Sequence, residues 1–220
     1  MPKIEKKQIA YNRVARTSKI KYIVIHDTAN AKEGADADAH FNYFNGGNRN
    51  SSADFFVDDK KILQVNDYTK YYTWQVGDGN GKYGITNQNS IGVEICINAD
   101  GDYDEAFKNA IKLTKYLMKE LNISEENVVR HFDASKKICP ASMSEKEWAK
   151  WYEFKKALKE EKMDTFTDIS GNFAERDIKE LYQMGIVQGV TDSEFKPDEV
   201  ATRAQIACVA RNIIRYITGE

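Results

Sequence analysis

The sequence lacks three features that each would have narrowed its class: a cysteine framework, a membrane-length apolar run and an excess of one charge. Its three cysteines, Cys96, Cys139 and Cys208, cannot all pair within one chain, which argues against a disulfide-stapled fold. No apolar stretch approaches the roughly 20 residues that cross a bilayer. Lysine and arginine number 32 against 34 acidic residues, a net charge of −2, so neither nucleic acid nor a membrane surface is expected as a partner. The lysine-rich start (Lys3, Lys6, Lys7) leads into no apolar h-region, so no signal peptide is expected. That predicts synthesis in a cytosol, with something else providing any route to the outside.

What is present suits folding. Of 220 residues, 41% are hydrophobic and 30% charged, enough apolar material for one average domain and a small second one. Histidine is rare, and two of the three residues stand at the polar ends of apolar runs: His26 in Tyr22–Thr28 (YIVIHDT) and His131 in Val128–Pro140 (VVRHFDASKKICP). His131 and Cys139 lie eight positions apart, too far for one helical face, but a loop after the apolar run would fold both onto one ion. Two neutral imidazoles and a thiolate leave a tetrahedral zinc one open position, the mark of a catalytic site. Cys139 follows two lysines, and nearby positive charge favours thiolate. Cys96 and Cys208 fall inside apolar patterns and are expected to be small buried hydrophobes. His40 is expected to pack on a helix.

Taken in order, residues 1–21 read as an irregular polar arm. Tyr22–His26 reads as a strand, and Asp36–Phe44 as a short helix ending at Gly46-Gly47. Ala53–Val57 and Lys61–Val65 form a predicted hairpin turning at Asp58-Asp59, followed by a strand at Tyr72–Val76. Alternation in Ser90–Ile97 sets Val93, Ile95 and Ile97 on one face, with Glu94 and Cys96 opposite. Asp104–Asn122 carries Phe107, Ala110, Ile111, Thr114, Leu117, Met118 and Leu121 at helical spacing. A strand at Asn127–Arg130 delivers His131, and Ser144–Lys159 is a second helix bearing Trp148, Trp151, Tyr152 and Leu158. Strands with helices between them predict an α/β (α+β) fold: a mixed central β-sheet flanked by helices over residues 1–158. Residues 159–164 read as a charged linker, and 165–220 as a small helical module. In that module, Ile178, Leu181 and Tyr182 mark a helix stopped by Gly185. A capping box from Thr202 to Gln205 starts another, with an apolar stripe of Ile206, Val209, Ala210, Ile213 and Ile217.

Two motifs are set aside. Gly79–Gly84 matches G-x-G-x-x-G, but no helix pattern follows it; it reads as a flexible loop lining a groove. Asn98–Asp102 resembles the start of a calcium loop, but Tyr103 occupies the position that needs glycine, so a turn is expected.

YIVIHDT, the glycine-rich WQVGDGNGKYGIT, SIGVEICI and VVRHFDASKKICP occur in one order. Together they resemble the N-acetylmuramoyl-L-alanine amidases, zinc enzymes of phage endolysins and bacterial autolysins related to the peptidoglycan-recognition proteins. The resemblance covers roughly residues 8–158. It implies His26, His131 and Cys139 as zinc ligands, Glu94 as the catalytic carboxylate and Lys137 as the lysine that steadies the transition state. Where many relatives carry histidine in the tryptophan-led motif, this chain has Gln75, and an Ala-His-Tyr motif reads Ala53-Asp54-Phe55. The tail resembles a single S-layer homology module through Phe166, Asp168, Ile169, Gly185–Gly189, Phe195, Pro197, Asp198 and Thr202-Arg203-Ala204, with Phe173 and Gln205 in place of a common tryptophan and glutamate. Such modules bind secondary cell-wall polymers, which implicates Arg203 in that contact. One copy implies weak binding or assembly of several chains, with the module as the route to a homo-oligomer.

The expected function is hydrolysis of the amide between muramic acid and L-alanine in bacterial peptidoglycan. The favoured setting is a phage endolysin of a Gram-positive host, made in the host cytoplasm and released through a holin pore; a host autolysin is the nearby alternative. The rival from another class is a peptidoglycan-binding protein without hydrolysis. Glu94→Ala separates the two.

Overall fold

The computed structural model of the chain describes residues 2–159 and 166–218. It divides into two units, residues 1–160 and 161–220. Of the expected linker, Lys159 is the last residue of a helix, and the rest lies outside the described residues.

The first unit contains strands β1 (Ile4–Lys6), β2 (Arg13–Ala15) and β3 (Tyr22–Asp27), helix α1 (Ala37–Asn45), then β4 (Phe55–Val57), β5 (Ile62–Gln64), β6 (Tyr71–Thr73) and β7 (Ser90–Ile95). Helix α2 (Tyr103–Leu121), strand β8 (Val128–Arg130) and helices α3 (His131–Ser135) and α4 (Glu145–Lys159) complete it. The mixed six-stranded sheet has the order β1-β5-β4-β7-β3-β8, and β2 pairs with β6 in a separate ribbon. The N-terminal arm is therefore not irregular as its polarity suggested. Backbone pairing decides its course: Ile4–Lys6 add a parallel edge strand to β5, and Arg13–Ala15 pair antiparallel with β6. The expected hairpin forms between β4 and β5.

Alternation along β3 and β7 sets the layering. Ile23 and Ile25, with Ile91, Val93 and Ile95, point into the main core, where they meet Phe107, Ala110, Leu113 and Leu117 of α2 and Trp151, Phe154 and Leu158 of α4. The opposite face carries Val24, packed with Val76, Ile85 and Ala134. Cys96 is buried in a third cluster with Phe56 and Leu63, as its apolar setting implied. Both faces of β3 are covered, which is why it reads as a continuous apolar run.

Helix α2 is capped by Asp102, whose side chain accepts from the backbone of Asp104 and Glu105, and it ends at Asn122 in the left-handed region. Leu113, omitted from the sequence-read stripe, is fully buried. Phe107 meets Phe154 edge-on at 5.4 Å, and losing either ring would cost about 3–5 kcal/mol. In α4, Lys146, Glu147 and Trp148 have left-handed backbone angles, so the regular helix begins after them. Tyr152 is exposed rather than packed; its position in the turn differs from that of Trp151, Phe154 and Leu158.

The second unit holds α5 (Glu175–Gln183) and α6 (Arg203–Thr218). Its core is Phe166, Ile169 and Ile178, with Ala174, Tyr182 and Phe195 against them. Gly185 takes φ +70° just past α5, as a stop residue should. The Thr202–Gln205 capping box forms: Thr202 N donates to Gln205 Oε1 at 2.7 Å and Gln205 N to Thr202 Oγ1 at 3.2 Å. The expected stripe on α6 is not part of this core, however. None of the helix's described residues is buried, and Ile206, Ile213 and Ile217 are exposed. Cys208, expected inside, is also exposed. Among the described residues no helix is long and apolar enough to cross a membrane.

Candidate metal centre and active site

β3 runs parallel to both β7 and β8, so all three strands end on the same edge of the sheet, the usual place for a site in parallel sheets. Register then fixes neighbours. His26 pairs with Glu94 across β3 and β7. Ile25 pairs with Arg130 across β3 and β8, which puts His131, the next residue, level with His26. The local geometry around His131 departs from expectation: it is not in a loop but opens α3. Asp133 makes this turn possible, its carboxylate accepting from the Arg130 backbone and guanidinium. Lys136, left-handed at φ +70°, ends α3 and turns the chain. Phe132 N then donates to the Cys139 carbonyl at 3.1 Å, bringing the cysteine back beside the histidine.

His26, His131 and Cys139 are all buried, and their ligand atoms lie within 4.8 Å of one another. Cys139 Sγ is 3.6 Å from His26 Nδ1, and Glu94 Oε1 is 3.9 Å from the same nitrogen. The far nitrogen of each imidazole is held: His26 Nε2 by Gln75 Oε1 at 2.9 Å, His131 Nε2 by Asp78 Oδ1 at 2.7 Å. His131 Nδ1 and Glu94 Oε2 are buried without a partner. Orphaned buried polar atoms are costly, and a cation among these residues would satisfy them. The donor set of two imidazoles and one thiol is a metal-binding set of the kind zinc takes. These observations fit a bound metal.

Burial, then the neighbouring His131, holds His26 down to about 3, so it is neutral at physiological pH. Burial also lowers His131, against the pull of Asp78. The Cys139 thiol is pushed up to about 12 by burial and then by Glu94, so it loses its proton only to a cation. Glu94 is pushed up to about 8 by burial and the charge of Asp27, with Lys137 opposing. Lys137 is exposed between α3 and Cys139.

The sequence points to five residues here, and the fold brings the three candidate sulfur and nitrogen ligands together with Glu94 while leaving Lys137 exposed. It missed the partners of the imidazoles. Gln75 stood out only as a departure from the family pattern. Asp78 belongs to the glycine-rich motif but lies just ahead of the Gly79–Gly84 stretch that reads as a loop. Asp78 itself sits in a short 3₁₀ turn (Gly77–Gly79), pressed so close to α3 that a Cβ on Gly79 would sit 2.2 Å from the Ala134 carbonyl oxygen. Residues 80–84 are turns and a bend, and a one-turn 3₁₀ helix (Asn87–Asn89) follows before β7. His40 is the packing residue expected, stacked on Phe56 at 5.3 Å. Asn98–Asp102 is a turn, with Gly101 N donating to the Asn98 carbonyl.

Comparisons with known proteins bear on the fold and family. The family model described as N-acetylmuramoyl-L-alanine amidase matches residues 16–142, and that of the S-layer homology domain matches residues 165–207. Among curated relatives, N-acetylmuramoyl-L-alanine amidase XlyA of Bacillus subtilis is 47% identical over 122 residues, covering 56% of this chain and 40% of its own length. CwlH of the same organism is 43% identical over 122 residues, covering 56% and 48%. The chain thus spans under half the length of these relatives. Among solved structures, the catalytic domain of XlyA superposes with a TM-score of 0.64 at 41% identity, covering 71% of this chain and 99% of that domain. PlyL gives 0.62 at 34% identity, covering 72% and 98%. With its site on the edge where β3, β7 and β8 end and a match over more than half its residues, this chain belongs to the N-acetylmuramoyl-L-alanine amidase family.

Proposed function

We propose that the chain is a zinc-dependent N-acetylmuramoyl-L-alanine amidase that hydrolyses the lactyl–L-alanine amide of bacterial peptidoglycan. The observation that carries this reading is the buried His26–His131–Cys139 cluster with an unpartnered His131 Nδ1, next to Glu94 on the neighbouring strand.

His26 Nδ1, His131 Nδ1 and Cys139 Sγ would hold the ion. Zinc in that place supplies a Lewis acid and a strong nucleophile at neutral pH. Glu94 takes the proton of the attacking water and returns it to the leaving amine nitrogen of alanine. Its raised affinity for a proton suits both halves of that transfer. Lys137, exposed at the rim, stabilises negative charge growing on the scissile carbonyl oxygen. Asp78 and Gln75 hold the two imidazoles from behind.

The tail, similar to an S-layer homology module, would hold the enzyme on the wall through a secondary cell-wall polymer, with Arg203 as a contact. Such an architecture suits a phage endolysin acting on a Gram-positive host.

The test is the release of new alanine amino termini from purified Gram-positive walls. Release that a chelator abolishes and zinc restores is expected. Absence of release from several wall types would leave a peptidoglycan-binding protein instead.

A further inference from the structure

Of the two side chains that hold the imidazoles from behind, Gln75 is neutral and Asp78 is a carboxylate. Gln75 Oε1 faces His26 Nε2 at 2.9 Å, and its Nε2 lies 3.2 Å from Ser90 Oγ. Ser90 Oγ donates to the Thr86 carbonyl at 2.6 Å. That last contact sets the sense of the whole series. A carbonyl oxygen can only accept, so the Ser90 proton points to Thr86 and the Ser90 oxygen is left to accept. Gln75 must then turn its NH2 to Ser90 and its oxygen to His26. An oxygen at His26 Nε2 demands a proton on that nitrogen and leaves the lone pair on Nδ1, the atom facing Cys139 Sγ at 3.6 Å. A flipped amide would present NH2 to Nε2, drive the imidazole proton to Nδ1 and remove His26 from the ligand set.

The surroundings hold Gln75 in this pose. Asn87 Oδ1 accepts from the Gln75 backbone N–H at 3.0 Å. A Cβ on Gly92 would lie 2.2 Å from Gln75 Oε1, so the amide lies flat against β7. His131 needs no such arrangement, because the Asp78 carboxylate accepts whichever oxygen it offers.

We propose that Thr86, Ser90 and Gln75 form a directional relay that selects the metal-binding tautomer of His26. Gln75 is a positioning residue, and Ser90 locks its amide. The inference rests on the metal-site reading above.

Zinc affinity of the full chain, by competition with a chromophoric chelator, tests it. Gln75→Leu and Ser90→Ala should each weaken binding by about tenfold to a hundredfold. Gln75→Glu, whose two oxygens both accept, should bind as the parent chain does. Adding Ser90→Ala to Gln75→Glu should then have no effect, whereas a merely structural Ser90 would weaken both backgrounds alike. A parent chain that binds no zinc removes the metal-site reading. A parent that binds zinc, with Ser90→Ala and Gln75→Leu undiminished, overturns the relay alone. Should the variants not fold, nitrogen-15 spectra of the imidazoles in the metal-free parent decide: an Nε2–H tautomer at His26 supports the relay, and an Nδ1–H tautomer overturns it.

Discussion

His26 and Glu94 are register partners on adjacent parallel strands, with His26 Nδ1 3.9 Å from Glu94 Oε1. The candidate ligand and the candidate proton carrier thus stand side by side because two strands share one register. A slip of one residue would turn Glu94 to the apolar face. The pair is fixed by backbone hydrogen bonds rather than by contact between the side chains.

Separating these two roles should be simple in Glu94→Gln. The amide keeps the shape but carries no proton between water and amine. Wall hydrolysis should fall by about 10²–10⁴, while zinc still binds with one ion per chain. Unchanged hydrolysis would remove Glu94 from the mechanism.

Zinc binding should release protons in a pH-dependent number. Both imidazoles are held low, so at neutral pH they are already deprotonated and release nothing. Cys139, pushed up to about 12, must give up its proton to bind. Glu94, pushed up to about 8, gives up a second when the ion's charge lowers it. Calorimetry in buffers of different ionisation enthalpy should find release between one and two protons at pH 7, approaching one above pH 8. Glu94→Gln should remove the second. Affinity therefore rises with pH through this range, and a flat profile would contradict the assignment of Cys139 as thiol in the free chain.

Lys137→Met should lower hydrolysis by about 10²–10³ without loss of fold. Its side chain is exposed, and its backbone N–H contact to Ser135 Oγ survives the change. Equal activity in Lys137→Met and parent, at saturating zinc, would make this an ordinary loop lysine.

Asp54 serves the fold. It is fully buried and accepts from Asn66 Nδ2, Thr73 Oγ1 and Gly92 N at 2.7, 2.9 and 2.8 Å. Asp54→Ala leaves these donors unmatched in the interior, so unfolding in urea should show a loss of about 2–4 kcal/mol. A loss below about 0.5 kcal/mol would class it with surface changes.

Arg203→Ala in the full chain should weaken pelleting with intact walls while leaving cleavage of soluble wall fragments unchanged. Equal pelleting would take Arg203 out of the polymer contact.

By itself the sequence determined the apolar strand around Val24, the alternating strand around Val93, the α2 stripe, the Thr202 cap and the three candidate ligands, because each is written in local patterning or in residue chemistry at a strand end. Tertiary structure alone decided the rest. The arm of residues 4–15 became strands because pairing partners come from β5 and β6, far along the chain. Cys208 and the α6 stripe looked internal from their pattern, yet periodicity only groups residues on a face and does not supply what covers it. Asp78 and Gln75 could not be assigned from spacing, since they lie 53 and 49 positions from the imidazoles they hold. In the proposed relay the proton on His26 is set by the carbonyl of Thr86, and only folding brings that oxygen into line with Ser90 and Gln75.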